Sequence, residues 1–230
     1  MSKVLPNRPS YAESSMRHWQ KKGNTSSHPV VFDRLQELSD SDEVYEAIDI
    51  LIAGADTTAS TLTTGIFQIL SWPSIHHKLL KALEKVQSDE HGALRLAELE
   101  KCDYLNAVVK ECIRIGMAVP GRLPRKVPEG DPFIVDGKVV PPGGPDARVF
   151  NPDRCLTPDS NKFEQWIYTF CKGARMCIGQ NVAPAEIILV LGYLFTRYHL
   201  HLLKDDAAPL RQDDFTLSYP GGLQISFTKK

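Results

Sequence analysis

The sequence has little of what marks several large classes of protein. Its five cysteines include no C-x-x-C pair, which argues against a disulfide framework and against a structural zinc site. Its 27 Lys and Arg nearly balance its 28 Asp and Glu, so the strongly basic field of a nucleic-acid-binding protein is missing. The longest apolar run, residues 187–195, is shorter than the roughly 18 residues of a membrane helix. We therefore expect no nucleic-acid partner and no membrane span in this chain.

The first residues also lack the apolar core of a secretory signal, so we expect the mature protein to begin close to Met1 and to reside in a reducing compartment. What the chain does have is 42% hydrophobic residues over 230 positions, enough for one large domain or two small ones. Residues 1–40 are rich in Ser, Asn, Lys and Pro, which predicts a loose leader ending in a short helix around Phe32. Residues 41–230 are expected to form the main domain.

Helical periodicity dominates the first part of that domain. Apolar residues recur at helical spacing from Val44 to Leu70 and predict one long helix, with Asp40 and Glu43 as a capping box at its start. A second helix is predicted from Pro73 to about residue 87. A third is predicted from 103 to 116, with this buried stripe: Leu105, Val108, Val109, Cys112 and Ile113.

Strand and loop signals follow residue 116. Residues 133–135 and 138–140 flank Asp136-Gly137 and predict a β-hairpin with a type I′ turn. Residues 145–176 have no sustained period and predict an irregular ordered loop. A last helix is predicted after Cys177, and residues 215–217 with 223–225 suggest a closing hairpin. The fold class is therefore mainly α with small β-hairpins.

One glycine-containing loop, residues 170–179, delivers Cys177 to the predicted start of the last helix. Helix N-termini favour thiolates, and the nearby Arg175 acts in the same direction, so Cys177 is suited to be an anionic metal ligand. Taken alone, a small buried residue at a helix start is the simpler interpretation.

Two further stretches carry chemistry. The run from Ala53 to Thr58 reads A-G-A-D-T-T within the long predicted helix. Glu111 and Arg114 stand three residues apart, which places carboxylate and guanidinium side by side on one helix face. Taken singly, a helical Thr usually bonds to its own helix carbonyls, and such ion pairs are usually solvated surface.

Together the three stretches resemble the cytochrome P-450 (haem-thiolate monooxygenase) superfamily, of which this chain would be the C-terminal haem-binding portion. Residues 170–179 match its F-x-x-G-x-R-x-C-x-G signature at every fixed position, including Phe170 and Gly173. The resemblance implies that Cys177 is the proximal thiolate on haem iron, a ligand that favours O–O cleavage. It also implies that Arg175 and Arg125 contact the haem propionates.

The resemblance gives the other motifs roles as well. Asp56 and Thr57 are implied to pass protons to iron-bound dioxygen, beneath a helix opened at Gly54. Glu111 and Arg114, joined by Arg154, are implied to form a buried structural set that holds the cysteine loop.

The residues around Phe32 and around the signature look like filamentous-fungal members of the superfamily, which often oxidise secondary metabolites. The implied function is hydroxylation or another oxidation of a lipophilic small molecule. Dioxygen and electrons from an NADPH-dependent reductase are the implied co-reactants. Full-length eukaryotic relatives are anchored in the endoplasmic reticulum membrane.

The resemblance corresponds only to the C-terminal half of a family member, with an internal piece absent between Gly144 and Pro145. Cys155 replaces a usual Trp, and Pro184 falls in the last helix, where it costs about 3 kcal/mol unless it lies in the first turn. A second hypothesis is therefore a truncated, non-catalytic relic that keeps the signatures. A third, a zinc or redox protein using residues 171, 177, 199 and 201, lacks zinc spacing.

Overall fold

A computed structural model describes residues 8–23, 25, 27–35, 37–119, 148–160, 167–203, 211–212, 217–218 and 222–230. Two compact units divide the chain, Met1–Thr57 and Thr58–Lys230. The hairpin predicted over residues 133–140 lies outside the described residues, as does Arg125.

The first unit consists of helix α1 (Arg8–Lys22), helix α2 (Phe32–Leu35) and the first half of helix α3 (Asp40–Ser71). Met16 and Ala47 are buried, and the Trp19 ring lies 6.1 Å from the Phe32 ring, centroid to centroid. The buried carboxylate of Glu43 accepts a hydrogen bond from Gln20 Nε2 at 3.2 Å. A few apolar side chains and this polar contact therefore hold the unit together.

One prediction for this unit was wrong. The leader is not loose throughout, because α1 places Ala12, Met16 and Trp19 on one helical face, at the i, i+4, i+7 spacing. The predicted cap of α3, the side chain of Asp40, lies outside the described side chains. Ser39 supplies a cap at this end of the helix. Its Oγ accepts the Asp42 N–H at 3.3 Å and donates to the Asp42 carboxylate at 2.7 Å. The short helix and the long helix are confirmed.

The second unit packs the rest of α3 with four helices: α4 (Pro73–Leu83), α5 (Leu96–Leu99), α6 (Asp103–Gly116) and α7 (Val182–Arg197). Helix α6 has the predicted bounds and all five residues of its predicted stripe are buried. Helix α4 ends four residues before the predicted end. The largest fully buried side chains include Phe195, Ile69, Leu79, Leu105 and Leu191.

Two glycines allow helices of this core to pack closely against their neighbours. A Cβ added at Gly65 of α3 would clash with the Cys112 Sγ of α6. A Cβ at Gly192 of α7 would lie 2.7 Å from a terminal carbon of Leu99. Each pair of helices can approach this closely only because the glycine has no side chain.

Two small antiparallel sheets complete the described residues of this unit. Strand β1 (Tyr198–Leu202) pairs with β4 (Ile225–Lys229), with Leu200 opposite Phe227. Strand β2 (Arg211–Gln212) pairs with β3 (Leu217–Ser218). The predicted closing hairpin is wrong at its described positions, because Ile225 pairs with Leu202 and Leu217 pairs with Gln212. Residues 215 and 216 of that prediction lie outside the described residues.

Among the described residues, one helical stretch, Ile178–Arg197, is long and apolar enough to cross a membrane by length and composition, with mean hydropathy 1.4. The expectation from uninterrupted runs missed it because an average tolerates Glu186 and Gly192. Leu191 and Phe195 of this stretch are fully buried in the core. A core helix passes the same test, so the stretch is a weak indication of a membrane.

Candidate functional site

The cysteine loop, residues 167–181, is shaped by backbone hydrogen bonds and one glycine. The Cys177 N–H donates to the Phe170 carbonyl at 2.9 Å, and the Met176 N–H donates to the Gly173 carbonyl at 3.0 Å. Gly173 has φ +83°, a left-handed conformation that side chains rarely adopt. These contacts close the loop around the signature residues and fix the backbone position of Cys177.

The Cys177 side chain is exposed, so the interpretation of a small buried residue is wrong. A single 3-10 turn, Ile178–Gln180, follows it, and α7 begins only at Val182. We predicted from the sequence that Cys177 stands at the start of the α-helix. In the structure it precedes the first α-helical turn by this 3-10 turn. Pro184 is the third residue of α7, where its missing N–H has no helical acceptor to lose.

Of the other residues in the signature, one anchors the loop to the core and several are exposed. Phe170 is half-buried against the core, and its carbonyl also holds the Cys177 amide. Arg175 is exposed. The apolar side chains of Met176 and Ile178 flank the cysteine, and Ile178 is 88% exposed. The loop thus presents a thiol, a cation and apolar surface outwards.

A buried charge cluster, which we call the Glu111 cluster, comprises Glu111, Arg114 and Arg154. The Glu111 side chain is fully buried. Arg114 donates to both of its oxygens, at 2.8 and 2.7 Å, and Arg154 Nε donates to Oε1 at 3.1 Å. The predicted Arg–Glu–Arg set is confirmed, and it joins α6 to the 3-10 helix Pro152–Leu156.

Sequence reasoning missed the backbone half of this cluster. The Asn151 N–H donates to Glu111 Oε1 at 2.8 Å, and the Val149 carbonyl accepts from Arg114 and Arg154, each at 3.0 Å. Backbone groups leave no side-chain signature, so only the neighbouring Pro152-Asp153-Arg154 run pointed to this segment. Beside the cluster, burial and the Glu111 charge raise the pKa of the Cys155 thiol.

The predicted proton-transfer residues lie at the end of the first unit, whereas the cysteine loop lies in the second. Thr57 Oγ1 donates to the Ala53 carbonyl at 2.6 Å, as an ordinary helical threonine does. Asp56 is half-buried. Gly54 is exposed, and a Cβ there would meet nothing within 4 Å.

The cysteine loop fits the haem group implied by the resemblance. Its exposed sulfur could ligate iron, the exposed Arg175 could pair with a propionate, and Met176 and Ile178 offer apolar surface. Within the described ranges, no cluster of three His, Cys, Asp or Glu residues could hold a metal ion. The hypothetical zinc ligands at residues 171, 177, 199 and 201 are not brought together as such a cluster.

Sequence similarity to known proteins supports the same family as the geometry of the cysteine loop. The cytochrome P-450 family profile matches residues 20–144 and 145–227, divided where the sequence predicts an internal interruption. An inactive cytochrome P-450 monooxygenase, cloA of Claviceps fusiformis, is 35% identical over 68% of this chain and 34% of its own length. The cytochrome P-450 monooxygenase hkm5 of Aspergillus hancockii is 32% identical over 80% of this chain and 40% of its own length.

The chain therefore spans well under half the length of these two curated relatives. The crystal structure of a cytochrome P-450 (CYP102L1) superposes with a TM-score of 0.74 and 15% identity, covering 97% of this chain and 55% of that one. This likeness shows the same mainly helical fold, and the family match covers most of the sequence. The chain belongs to the cytochrome P-450 family.

Proposed function

We propose that this chain provides the haem-thiolate site of a monooxygenase that oxidises a lipophilic small molecule. The observation that carries the proposal is the exposed Cys177 thiol, on a loop whose shape is held by hydrogen bonds to Phe170 and Gly173. A cysteine kept only for packing would be buried, as Cys112 is.

The cysteine loop would hold the cofactor through three kinds of contact. The Cys177 sulfur would ligate iron, Arg175 would pair with a propionate, and Met176 would pack on the apolar macrocycle. We assign Arg125 the same propionate role from its position in the sequence. When bound, haem supplies the redox chemistry that activates dioxygen, with a thiolate ligand that favours O–O cleavage.

Asp56 and Thr57 are proposed to deliver protons. The Thr57 hydroxyl donates its own proton to the Ala53 carbonyl, so the lone pairs on its oxygen remain to accept a proton or a water. The carboxyl group of Asp56, one residue earlier, would take up a proton from solvent and pass it to such an acceptor.

The proposed substrate is lipophilic, and the proposed electron donor is an NADPH-dependent reductase. The two relatives described above come from filamentous fungi, and hkm5 is named a monooxygenase. A role in fungal secondary metabolism belongs to the same proposal. So does a reducing cellular compartment, where the thiol of Cys177 stays available.

Ligation is tested by spectroscopy. The purified 230-residue chain is loaded with haem, reduced and exposed to carbon monoxide, and the absorption spectrum is recorded. We expect the red-shifted Soret band typical of thiolate ligation, its loss in Cys177→Ala and its retention in Cys102→Ala. No haem uptake, or a band that survives Cys177→Ala, would overturn the proposal.

Proton delivery is tested with two threonines that make the same local bond. Thr57 Oγ1 bonds to Ala53 and Thr63 Oγ1 bonds to Ala59, at 2.6 and 2.8 Å. With a fungal reductase and a panel of lipophilic substrates, Thr57→Ala should release more peroxide per NADPH consumed, and Thr63→Ala should not. Equal coupling in both variants would remove Thr57 from this role.

A non-catalytic haem-binding or relic protein is the second candidate. It is favoured by the relative named as inactive, which is 35% identical to this chain. Thiolate-type haem binding with no product from any substrate in the panel would support this candidate over the monooxygenase.

A further inference from the structure

The cysteine loop contains a second cysteine close to the first. The Cys177 N–H donates to the carbonyl of Phe170, the residue directly before Cys171, at 2.9 Å. This hydrogen bond brings residues 170 and 177 side by side within the loop. The five residues between the cysteines form the turn around Gly173.

Backbone geometry places the pair within reach of a disulfide. Standard peptide dimensions and that hydrogen bond put the Cys171 and Cys177 Cα atoms about 4.5–7 Å apart. Disulfides span about 4.4–6.8 Å between Cα atoms. The two thiols are free here, and the Cys177 sulfur lies 3.7 Å from where a Cβ on Gly179 would be. Since Cys177 is exposed, its side chain has room to rotate towards Cys171.

Cys171 differs from the other cysteines in its backbone. Its φ is +58°, and its N–H donates to the Tyr168 carbonyl at 2.8 Å, which holds the residue in this left-handed conformation. It is half-buried, whereas Cys112 is buried in the core among α6 contacts. Cys171 is thus held in position beside an exposed thiol.

We propose that Cys171 and Cys177 form a reversible disulfide that switches off haem ligation. The ligation part rests on the proposed function, whereas the disulfide rests on the loop geometry alone. Hydrogen peroxide is the oxidant: one thiol becomes a sulfenic acid as the O–O bond breaks and water leaves. The second sulfur then displaces a second water to form the S–S bond. A dithiol reductant returns both thiols with their protons and two electrons.

The disulfide is tested on the ligand-free chain by mass spectrometry. The protein is treated with one equivalent of hydrogen peroxide, its remaining thiols are blocked with N-ethylmaleimide, and it is digested with trypsin. Cleavage after Lys172 and Arg175 separates the cysteines into peptides 163–172 and 176–197. We expect these peptides to be joined, and to separate on reduction.

Two variants make the result specific. Cys171→Ser should abolish the joined peptides, and Cys102→Ser, which removes another half-buried cysteine, should leave them unchanged. Joined peptides that include Cys155 or a second chain, or sulfinic acid at Cys177 without a link, would overturn the proposal.

The haem readout separates this inference from the proposed function. After peroxide and then arsenite, which reduces sulfenic acids but not disulfides, haem uptake should be at least tenfold lower in the unmodified chain, and a dithiol should restore it. Cys171→Ser treated in the same way should keep its haem uptake. If the reduced chain takes up no haem while the peptides still join, the proposed function fails and the disulfide stands. If oxidised, linked protein binds haem as well as reduced protein does, the switch is refuted.

Discussion

The Glu111 cluster and the cysteine loop are both signature motifs, yet their key side chains differ in burial and in hydrogen bonding. The fully buried carboxylate of Glu111 receives hydrogen bonds from two guanidinium groups and one backbone amide. The thiol of Cys177 is exposed, and only its backbone is anchored. Residues of the chain itself hydrogen-bond the Glu111 carboxylate, whereas the Cys177 thiol faces outwards. We infer that the first contributes stability and the second ligand binding.

The largest expected effect is on the buried side of this comparison. Glu111→Ala leaves two guanidinium groups and the Asn151 N–H without their acceptor, and should lower the free energy of unfolding by about 3–5 kcal/mol. Urea unfolding followed by circular dichroism measures it. The matched control is Glu98→Ala, which removes an exposed pair with Lys101 and should cost about 0–1 kcal/mol. Equal losses in both variants would contradict the comparison.

A smaller effect concerns the helix packing beneath the Glu111 cluster. Gly65→Ala places a methyl group against Cys112 Sγ and should lower the free energy of unfolding by about 1–3 kcal/mol, despite the better helix propensity of Ala. Removing that sulfur in the double variant with Cys112→Ala should recover part of the loss. A double-mutant cycle from urea unfolding measures the coupling, expected at about 0.5–3 kcal/mol. Simple additivity would show that the contact is relieved in another way.

A smaller effect still is a pH dependence of the unfolding free energy that arises from His76 in the packed core. Burial, and then the nearby charges of His201, Lys230 and His77, lower the pKa of His76 below its usual 6.5. The His76 ring packs edge-on against Phe195 at 5.5 Å between centroids. Below pH 6.5 the unfolded chain binds a proton at this position before the folded chain does, so stability should fall as the pH falls towards the folded pKa.

His76→Gln should remove that part of the slope of unfolding free energy against pH, while the slope above pH 6.5 stays the same. The measurement is urea unfolding across this pH range, with the His76 ring proton titrated by NMR. An unchanged slope, or an NMR midpoint at or above 6.5, would contradict the assignment.

Sequence reasoning succeeded where a pattern is local and failed where pairing is distant. Helix α6 was predicted with its bounds because its apolar stripe and Gly116 are both visible in the chain. The closing hairpin was wrong because β1 follows α7 directly, and nothing local shows that it pairs with residues 225–229. Helix α1 was missed because few of its residues are apolar, although those few share one face.

The candidate site follows the same division. Cys177 and the Glu111 cluster carry side-chain motifs that can be found by spacing. The Asn151 amide and the Val149 carbonyl complete the cluster through the backbone, which has no such signature. The exposure of Cys177 depends on how the loop closes on Phe170, and that depends on tertiary packing.

The smallest expected effect on stability is also the most direct test of the account. Cys177→Ala should change the free energy of unfolding by no more than about 0.5 kcal/mol, because the side chain is exposed. The same variant, loaded with haem, reduced and treated with carbon monoxide, should lose the thiolate-type Soret band of the unmodified chain. A destabilised variant that keeps the band would contradict the division between a stabilising cluster and a ligand-binding loop.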